Sequence, residues 1–519
     1  MPARYDPRSE ACLTALTTAA RPQVAKISLV QALEGADTFT AIAGATPGEA
    51  VAVIEYLLAL LYASDHIPRT DSEWREWVLR RESLAPAAAW LRNDAAERWN
   101  LFDPVHPLGQ NIALAPFMAE HGVGPAQIVI EQTGDYNQFF DHRHLHHARP
   151  VPADIAFRAL LTQMAYGLAG NAKVKKNWLG HLLFPQPVAR LGGRVRVLAL
   201  GQTLGETLRL NLAPGTRRPN DGLNYSWTGG RSRRSFQGRK VTRLPDGPAD
   251  AHSYLCRSIL LRPTRLSDGS LGVDRVLMGS GEVLPDLPGE FCQDAVMVKR
   301  GSKGKDAWVQ LRPSPDRAMW REAHALYATV AERTKDKDLY NRLALLPGTR
   351  VQLWAVGLIT RKSTPVAWVA DEFPYVPGQE MEFREASEGA SAICEYVARA
   401  LWKAADTARG IVYPNPNPSD VKRQTERFNG AADMWARAGD HFHVLLDAVA
   451  EGLEPVEALV GFAAEIAALA RTALDNRLDS LPAHGSGLQA RLQAQARLRG
   501  SLTASKAPHS LQEAAHVPR

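Results

Sequence analysis

Histidine and carboxylate side chains crowd into one short stretch of the sequence, where they could hold a metal ion. Five residues of suitable type lie within seven positions: Asp141, His142, His144, His146 and His147. Imidazole and carboxylate groups suit zinc and other transition metals. Zinc ligands usually converge from two elements, however, and the sequence offers no second cluster of Cys, His or Asp. We therefore expect no bound metal and no cofactor, and a metal-dependent nuclease that uses this loop is kept as an alternative function.

The same stretch, GDYNQFFDHRHLHHARP (134–150), also carries the aromatic residues Tyr136, Phe139 and Phe140. Together with the histidines, these side chains could stack on RNA bases or form hydrogen bonds with them. A structural RNA-binding protein is therefore a second alternative function.

Motifs of common enzyme classes are missing from the sequence. It contains no G-x-x-x-x-G-K-[ST], no G-x-G-x-x-G after a predicted strand and no H-E-x-x-H. The MGSGE segment at 278–282 has no strand-turn-helix context, so we do not interpret it as a nucleophile elbow. The four cysteines lie far apart without a C-x-x-C pair, which argues against a disulfide framework and a four-cysteine zinc ribbon. We expect a protein that is not an enzyme.

The strongest charge anomaly is the segment TRRPNDGLNYSWTGGRSRRSFQGRKVTR, residues 216–243. It holds eight basic residues against one acid, Asp221, so its local charge of +7 exceeds the net charge of +6 of the whole chain. Interleaved aromatic residues, Tyr225, Trp227 and Phe236, suit base stacking beside a neutralised phosphate backbone. The alternative is a solvated insertion with incidental charge. The residues predicted to contact a nucleic-acid backbone here are Arg231, Arg233, Arg234, Arg239 and Lys240.

Two further basic clusters lie in the same part of the chain. GLAGNAKVKKNW (167–178) joins small residues to Lys173, Lys175 and Lys176, and glycines allow a backbone to approach a sugar-phosphate closely. MVKRGSKGKDAW (297–308) has the pattern of a β-hairpin with lysines near its tip. Three such clusters in one region together favour nucleic-acid contact.

Length and hydropathy limit the class of protein. With 519 residues and 45% hydrophobic content, the chain predicts two to four globular domains. The longest apolar stretch, Ala50 to Ala63, contains Glu55 and is shorter than the roughly 18 residues that span a bilayer. The first 23 residues lack the apolar core of a signal peptide. We expect a cytoplasmic protein without membrane contact.

The chain has three regions of different texture, which together predict an α+β fold. Residues 27–120 read as mainly helical, and residues 151–380 mix helix with short β-rich runs and long loops. Four Ala/Leu-rich helical stretches follow, at about 382–408, 419–451, 454–478 and 486–503. We therefore predict a mixed domain over 1–380, an antiparallel four-helix bundle over 381–503 and a disordered tail over 504–519.

Seven short motifs in order resemble the CasA family, the large subunits of the type I-E CRISPR surveillance complex Cascade. They are ISLVQALEGADTFTAIAGATPGEAVAVIEYLLALLY (27–62), NLFDPVHPLGQ (100–110), NQFFDHR (137–143), LLTQMAYGLAGN (160–171), LGETLRLNL (204–212), LRPSPDRAMWRE (311–322) and the closing helices. The resemblance covers about residues 27–500. The sequence differs from the family in two ways. It lacks the usual Trp-Ile-Pro opening and the cysteine cluster of some members, and it carries the basic insertion at 216–243.

The resemblance implies two elements that read the protospacer-adjacent motif (PAM) of target DNA. The small-residue loop that approaches the minor groove matches Gly167, Leu168, Ala169 and Gly170. The lysine finger falls in the 297–308 hairpin, where position favours Lys303, with Lys299 and Lys305 as the other candidates.

The family's wedge and docking loop can be placed as well. The wedge, which splits the first base pairs beside the PAM, matches Thr360, Arg361, Lys362 and Ser363. These residues read TRKS, without the glutamine of some members, so Arg361 and Lys362 are placed by position alone. The loop that docks beside the 5′ handle of the guide RNA matches Asn137, Gln138, Phe139, Phe140 and Asp141.

The function implied by the resemblance is recognition without covalent chemistry. Such a subunit reads the PAM in double-stranded DNA, starts unwinding for R-loop formation, and helps to position the displaced strand. The implied partners are the guide RNA (crRNA), the other Cascade subunits, target DNA with a PAM, and an effector nuclease, a helicase-nuclease or a variant of it.

Overall fold

The computed structural model describes most of the chain. Described are residues 3–132, 149–171, 185–186, 188–227, 243–284, 294–302, 305–314, 318–331, 339–361 and 364–515. The chain forms two compact units, the first of residues 1–319, 334–346 and 351–372, the second of residues 320–333, 347–350 and 373–519. Helices and small antiparallel sheets occur together, which confirms the predicted α+β class.

The helices of the described residues, apart from short 3₁₀ turns, are α1 (Leu29–Glu34), α2 (Pro47–Ser64), α3 (Asp71–Leu79), α4 (Ala85–Asn93), α5 (Ala115–His121), α6 (Ala153–Tyr166), α7 (Leu204–Asn211), α8 (Pro248–His252), α9 (Ala323–Ala331), α10 (Leu339–Leu343), α11 (Glu380–Val412), α12 (Val421–Phe428), α13 (Ala431–Ala450), α14 (Pro455–Leu478), α15 (Gly485–Leu502) and α16 (His509–Ala514). The strands are β1 (Leu13–Thr17), β2 (Val24–Ile27), β3 (Phe39–Ile42), β4 (Val151–Pro152), β5 (Gly170–Asn171), β6 (Pro185–Gln186), β7 (Arg196–Leu200), β8 (Arg257–Arg265), β9 (Leu271–Ser280), β10 (Met297–Ser302), β11 (Lys305–Gln310), β12 (Val351–Arg361) and β13 (Thr364–Tyr375).

The first unit begins with a three-stranded sheet in the order β2-β1-β3. Strand β1 is central, with Leu13 opposite Ile27 on one side and Ala15 opposite Ile42 on the other. Residues 27–120, predicted to be mainly helical, thus also contain the short strand β3, which the sequence analysis did not identify. Strands of four or five residues show too little alternation to be recognised beside the long apolar run that follows.

Helix α2 forms the centre of the core of the first unit. It is long and apolar enough to cross a membrane by composition alone, but 89% of it is buried inside the protein. Thr46 caps its first turn by accepting a hydrogen bond from the Glu49 amide, and Pro47 occupies the first helical position. A helix that is apolar on all faces is stable in water only when other elements surround it. Its one buried carboxylate, Glu55, therefore needs partners from those elements.

Strand β7 lies at the edge of the three-stranded sheet β13-β12-β7. Strands β10 and β11 form an antiparallel hairpin, from Met297 opposite Gln310 to Ser302 opposite Lys305. The hairpin predicted over 297–308 is thus confirmed. Strand β8 pairs with β9 along its whole length, and β4 adds two residues at the other edge of β9.

The second unit is helical around α11. Its buried residues recur every three or four positions from Phe383 to Ala408, so one stripe of this helix faces its neighbours. Helices α9, α12, α13, α14 and α15 all pack against α11. The predicted single helix over 419–451 is wrong, because α12 ends at Phe428 and α13 begins at Ala431.

The break between α12 and α13 has a packing reason. A Cβ at Gly430 would lie 2.8 Å from the carbonyl carbon of Ala473 in α14, so the chain approaches this helix more closely than a side chain permits. The Asn429 side chain then accepts a hydrogen bond from the amide of Ala431, the first residue of α13.

Residues 504–515, for which the sequence predicts disorder, instead contain helix α16. Leu511 and Ala507 are buried, and α16 packs against α14. The apolar residues are few and widely spaced, so composition did not reveal that they meet a ready-made helical surface.

Candidate nucleic-acid interface

The small-residue loop 167–170 follows directly from the end of α6. The Gly167 amide closes the last helical turn by donating to the carbonyl oxygen of Gln163 at 3.0 Å. A Cβ at Gly167 would lie 2.5 Å from that oxygen and 2.6 Å from Nη2 of Arg257. Glycine is thus required here by the close approach of the Gln163 carbonyl oxygen and of the Arg257 guanidinium group.

Arg257, the first residue of β8, holds the backbone of loop 167–170 in place. This side chain is buried, donating from Nη2 to the Leu168 carbonyl at 2.6 Å and from Nη1 to its neighbour Cys256 at 2.9 Å. The Trp227 indole donates to the Arg257 carbonyl at 3.0 Å. Burial lowers the pKa of Arg257, and the carbonyl oxygens replace part of the hydration that the guanidinium loses.

Residues 185–186 and 188–191 hold the other side of the loop. The Ala189 amide donates to the Gly167 carbonyl at 2.8 Å, and Leu191 donates to Ala165 at 2.9 Å. Gly170 pairs with Gln186 in the short ladder of β5 and β6. Leu168, Ala169 and Gly170 are half-buried, while the predicted backbone contacts Lys173, Lys175 and Lys176 lie outside the described residues.

Arg190, which follows Ala189 in the chain, belongs to a buried ionic group. We call this group the Glu55–Asp294 cluster, and its members are Glu55, Arg190, Arg194, Arg196 and Asp294. Arg196 Nε lies 2.8 Å from Glu55 and 2.6 Å from Asp294, so it bridges the two carboxylates. Arg190 pairs with Glu55 and lies 3.7 Å from Asp294, and Arg194 lies 3.3 Å from Asp294. Charges taken from water are tolerated only when paired in this way.

The cluster contains more positive than negative charge, and the neighbouring titratable groups reflect this. Burial raises the pKa of Asp294, but Arg194, Arg196 and Arg190 together hold it well below the usual range. Burial, followed by Arg190 and Arg196, lowers the pKa of His252 well below 6.5. The His252 ring is therefore neutral at pH 7, and its Nδ1–H donates to Glu55 at 2.7 Å.

The basic hairpin β10–β11 starts from the same cluster. The Val197 amide of β7 donates to the Asp294 carbonyl at 2.8 Å, and Ala295 forms a bridge with Arg196. Leu311, at the other end of the hairpin, accepts from Val195 at 3.1 Å. In the hairpin, Lys299 lies opposite Trp308 and Lys305 opposite Ser302, and Lys303 lies outside the described residues.

The predicted wedge lies at the end of another pair of strands that is joined to β7. Strand β12 pairs with β7 through Val356 opposite Arg196, and β13 pairs with the outer edge of β12. Thr360 is half-buried and Arg361 is exposed at the end of β12. Lys362 and Ser363, the turn itself, lie outside the described residues.

Trp368 of β13 contacts helix α6, helix α2 and the segment that contains Glu131. Its ring meets Tyr166, the last residue of α6, edge-to-face with centroids 4.8 Å apart. Its indole nitrogen donates to Glu131 at 2.6 Å. Its benzo ring covers Gly48 in the first turn of α2 so closely that no Cβ would fit there.

Glu131 lies shortly before the predicted docking loop in the chain. It belongs to the 3₁₀ turn Ile130–Gln132. Asn137, Gln138, Phe139, Phe140 and Asp141, and the histidines that follow them, lie outside the described residues. Within the part of the chain that the structure describes, no group of three or more His, Cys, Asp or Glu side chains could hold a metal ion.

The structure corrects the interpretation of the basic segment 216–243 in part. Trp227 is buried and Tyr225 donates to Asp94 at 2.6 Å while packing against the core, so neither is a stacking platform. Arg243 pairs with Asp250 and with Glu282, which removes its charge from the predicted excess. Arg231, Arg233, Arg234, Arg239 and Lys240 lie outside the described residues.

Sequence reasoning missed the residues that hold these elements together. Glu55 carried a signal, because it is the one charge inside a long apolar run and its burial demands a partner. The partners Arg196 and Asp294 could not be inferred, since they are far apart in the chain. Trp368 stands in the predicted run PVAWVA, where nothing distinguishes it from an ordinary strand residue.

The sequence matches a known protein family. The model of the family described as CRISPR-associated protein Cse1 matches residues 16–474. A search of curated protein sequences gives no match.

Several solved structures share the fold. Cse1 from Acidimicrobium ferrooxidans matches with a TM-score of 0.73 and 20% identity over 98% of this chain and 99% of that one. Thermus thermophilus CasA (Cse1) matches with a TM-score of 0.73 and 20% identity over 96% and 99%. A chain of a structure described as a CRISPR RNA-guided surveillance complex matches with a TM-score of 0.68 and 19% identity over 96% and 100%.

Proposed function

Because the chain belongs to the family of CRISPR-associated protein Cse1, we propose that it is the large subunit of an RNA-guided CRISPR surveillance complex of the Cascade type. The CasA resemblance inferred from the sequence is confirmed, since a matched structure carries both names, CasA and Cse1. The partners proposed are the crRNA and the other Cascade subunits, in the cytoplasm. This proposal is supported by the similar chain within a structure described as an RNA-guided surveillance complex.

Within this function, we propose that loop 167–170 and the β10–β11 hairpin read the PAM in the minor groove. The observation that supports the proposal is a contact between the bases of the two elements. Ala189 donates a hydrogen bond to Gly167 of the loop, and the next residue, Arg190, lies 3.7 Å from Asp294 at the base of the hairpin. Two elements fixed to one rigid cluster keep a constant spacing. A small-residue loop and one lysine at constant spacing would test the shape of the groove and reject a guanine amino group by steric clash.

Unwinding is assigned to the β12–β13 turn, with Thr360, Arg361, Lys362 and Ser363. The support is that β12 pairs with β7, the strand that also carries Arg196, so the wedge would stand at a fixed distance from the groove-reading elements. PAM binding would then deliver the adjacent base pairs to the wedge, and base pairing with the crRNA would read the rest of the target. This is recognition without covalent chemistry.

The remaining roles follow the same division. Residues Asn137–Asp141 would dock on the crRNA handle, and Glu131, which precedes them in the chain, accepts a hydrogen bond from Trp368. We propose that α11, α13, α14 and α15 form the antiparallel four-helix bundle predicted from the sequence, since α11 packs against each of the other three. This bundle would guide the displaced strand and present a surface to the effector nuclease.

The proposal is tested by binding of PAM-bearing and PAM-free duplexes to the complex reconstituted with crRNA. Gly170→Asp should abolish PAM-dependent binding, because its side chain and negative charge oppose the approach of phosphates to the loop. The matched control is Gly461→Asp on an exposed face of α14, where a Cβ meets nothing within 4 Å.

Each outcome has a defined meaning. The loop assignment holds if the Gly170 variant joins the complex, keeps its melting temperature and loses PAM-dependent binding while the control does not. Equal binding by the Gly170 variant and the wild type would show that the loop does not read the motif. Equal losses in both variants would point to a general effect of negative charge.

A further inference from the structure

The pair of strands that carries the predicted wedge extends beyond the strand that supports it. Strand β7 pairs with β12 from Gln352 to Val356. Past Val356, the last part of β12, residues 357–361, and the start of β13 continue as a two-stranded ribbon. Two-stranded ribbons twist strongly and are only marginally stable by themselves. The direction of this ribbon therefore depends on side-chain contacts with the rest of the first unit.

Trp368, near the start of β13, supplies such contacts. Its ring meets the Tyr166 ring edge-to-face with centroids 4.8 Å apart, and its indole N–H donates to Glu131 at 2.6 Å. Its benzo ring lies against Gly48, where no side chain holds it away from helix α2. A ring that is packed and hydrogen-bonded in this way has a fixed orientation. Trp368 thus joins the ribbon to elements that belong to the core.

Tyr166 connects Trp368 with the small-residue loop. It is the last residue of α6, it is fully buried, and Gly167 follows it directly. Burial raises the pKa of Tyr166, and Arg196 and Arg194 oppose this rise, so its phenol lies within the electrostatic reach of the Glu55–Asp294 cluster. The ring that Trp368 contacts is therefore fixed between the start of the loop and the base of the β10–β11 hairpin.

The shape of loop 167–170 has its own supports. Arg257 donates to the Leu168 carbonyl at 2.6 Å, and the Ala189 amide donates to the Gly167 carbonyl at 2.8 Å. Both hydrogen bonds remain when the indole is removed. A change at Trp368 should therefore alter the place of the ribbon relative to the loop and leave the loop itself intact.

We propose that Trp368 is a positioning residue for duplex opening, which holds the end of the β12–β13 ribbon at a constant distance from loop 167–170. This inference rests on the proposed function, which assigns PAM reading to the loop and opening to the wedge, and it adds the residue that relates the two steps. A wedge acts on the base pair beside the PAM only while it stands at the matching distance. A ribbon that swings is in that place for part of the time, so opening slows in proportion to the populated fraction.

The experiment uses the complex reconstituted with crRNA and a PAM-bearing duplex with a fluorescent base analogue in the first pair beside the PAM. The analogue brightens when that pair opens. Trp368→Leu should bind the duplex within about threefold of the wild type. It should open the duplex about tenfold more slowly, because a lost aromatic pair and a lost hydrogen bond to a carboxylate reduce the positioned fraction by at least that factor. Trp368→Phe keeps a ring against Tyr166 and lacks the N–H, so its opening rate should fall between the two.

Two controls separate positioning from stability. The first is a duplex with mismatches in the first pairs beside the PAM, which needs no wedge. On this duplex, R-loop formation by Trp368→Leu should be within about twofold of the wild-type rate. The second is Trp90→Leu in α4, since Trp90 is likewise half-buried against the core of the first unit and α4 packs on α1 and α2. Its opening rate on the matched duplex should also stay within about twofold of the wild type.

Three results would overturn the inference alone: normal opening by Trp368→Leu, equally slow R-loop formation by this variant on the mismatched duplex, or equal slowing in Trp90→Leu. The last two would mean a general loss of stability. A wild-type complex that opens duplexes with and without a PAM at the same rate would overturn the proposed PAM reading, and the inference with it. If Trp368→Leu does not join the complex, Trp368→Phe against the wild type decides, and an unchanged opening rate in Trp368→Phe then refutes the inference.

Discussion

Replacing Gly48 by alanine should destabilise the first unit, although the same change in a helix usually stabilises it. The usual gain is about 0.5–1 kcal/mol, from the lower entropy of the unfolded chain. Here the added Cβ would occupy the space of the Trp368 benzo ring. The indole must therefore move away, and its contacts with Tyr166 and Glu131 change with it.

The size of the effect follows from those two contacts. An edge-to-face aromatic pair contributes about 0.5–1.5 kcal/mol, and a hydrogen bond to a carboxylate contributes about 1.5–3 kcal/mol. Losing both and regaining the helix term leaves Gly48→Ala less stable by about 1–4 kcal/mol. In a Trp368→Ala background the clash is absent, so the same substitution should stabilise by about 0.5–1 kcal/mol.

The assay is a double-mutant cycle with urea unfolding followed by tryptophan fluorescence and circular dichroism. Gly461→Ala is the matched control, since nothing lies within 4 Å of a Cβ added at Gly461 of α14. This substitution should be stabilising or neutral. The reasoning is refuted if Gly48→Ala is stabilising in the wild type, or if the two backgrounds give the same change. A coupling energy near zero would mean that Trp368 does not pack on α2 in solution.

Three further results are expected. Arg257→Gln should lower the stability of the first unit by about 2–4 kcal/mol, because two buried carbonyls lose a charged donor, and it should weaken PAM-dependent binding; an unchanged duplex affinity would separate loop geometry from recognition. Because burial and the neighbouring arginines lower the pKa of His252, the unfolded imidazole gains a proton near pH 6.5 while the folded one does not, so stability should fall from pH 7 to about 5. His252→Gln should flatten this dependence of the urea midpoint, and a wild-type midpoint that rises on acidification relative to the variant would contradict the assignment. Trp227→Phe should cost about 1–3 kcal/mol through its lost bond to the Arg257 carbonyl, with an unchanged salt slope of duplex binding; a lower slope would restore Trp227 to the interface.

Local patterns in the sequence predicted those elements whose identity depends on neighbouring residues. The long apolar run around Glu55 predicts α2 at 48–64, and the structure has it at Pro47–Ser64. The glycine- and lysine-rich tip of MVKRGSKGKDAW (297–308) predicts the hairpin that β10 and β11 form. In both cases periodicity and turn chemistry act over a few residues, so the chain itself contains the information.

Long-range pairing explains what the sequence did not predict. Arg196 and Glu55 are 141 positions apart, and Trp368 and Glu131 are 237 positions apart. An arginine in a basic region has the same composition whether it faces DNA or a buried carboxylate, as Arg243 shows with its two acidic partners. Tyr225 and Trp227 were misinterpreted for the same reason, because an aromatic ring between arginines fits a core as well as a stacked base.

The division of the chain into two units has a consequence for the order of folding during synthesis. Helix α9, at Ala323–Ala331, belongs to the second unit, although strands β12 and most of β13 of the first unit are made after it. Its Tyr327 stacks on Phe383 at 5.0 Å and donates to the Pro374 carbonyl at 2.6 Å, so its partners appear only when the end of β13 and the start of α11 have been translated. Helix α9 therefore leaves the ribosome well before the residues that pack against it. A gene fragment that stops at residue 372 would lack both partners of Tyr327, so separate production of the second unit requires residues 320–333 and 347–350 to be joined to 373–519 by linkers.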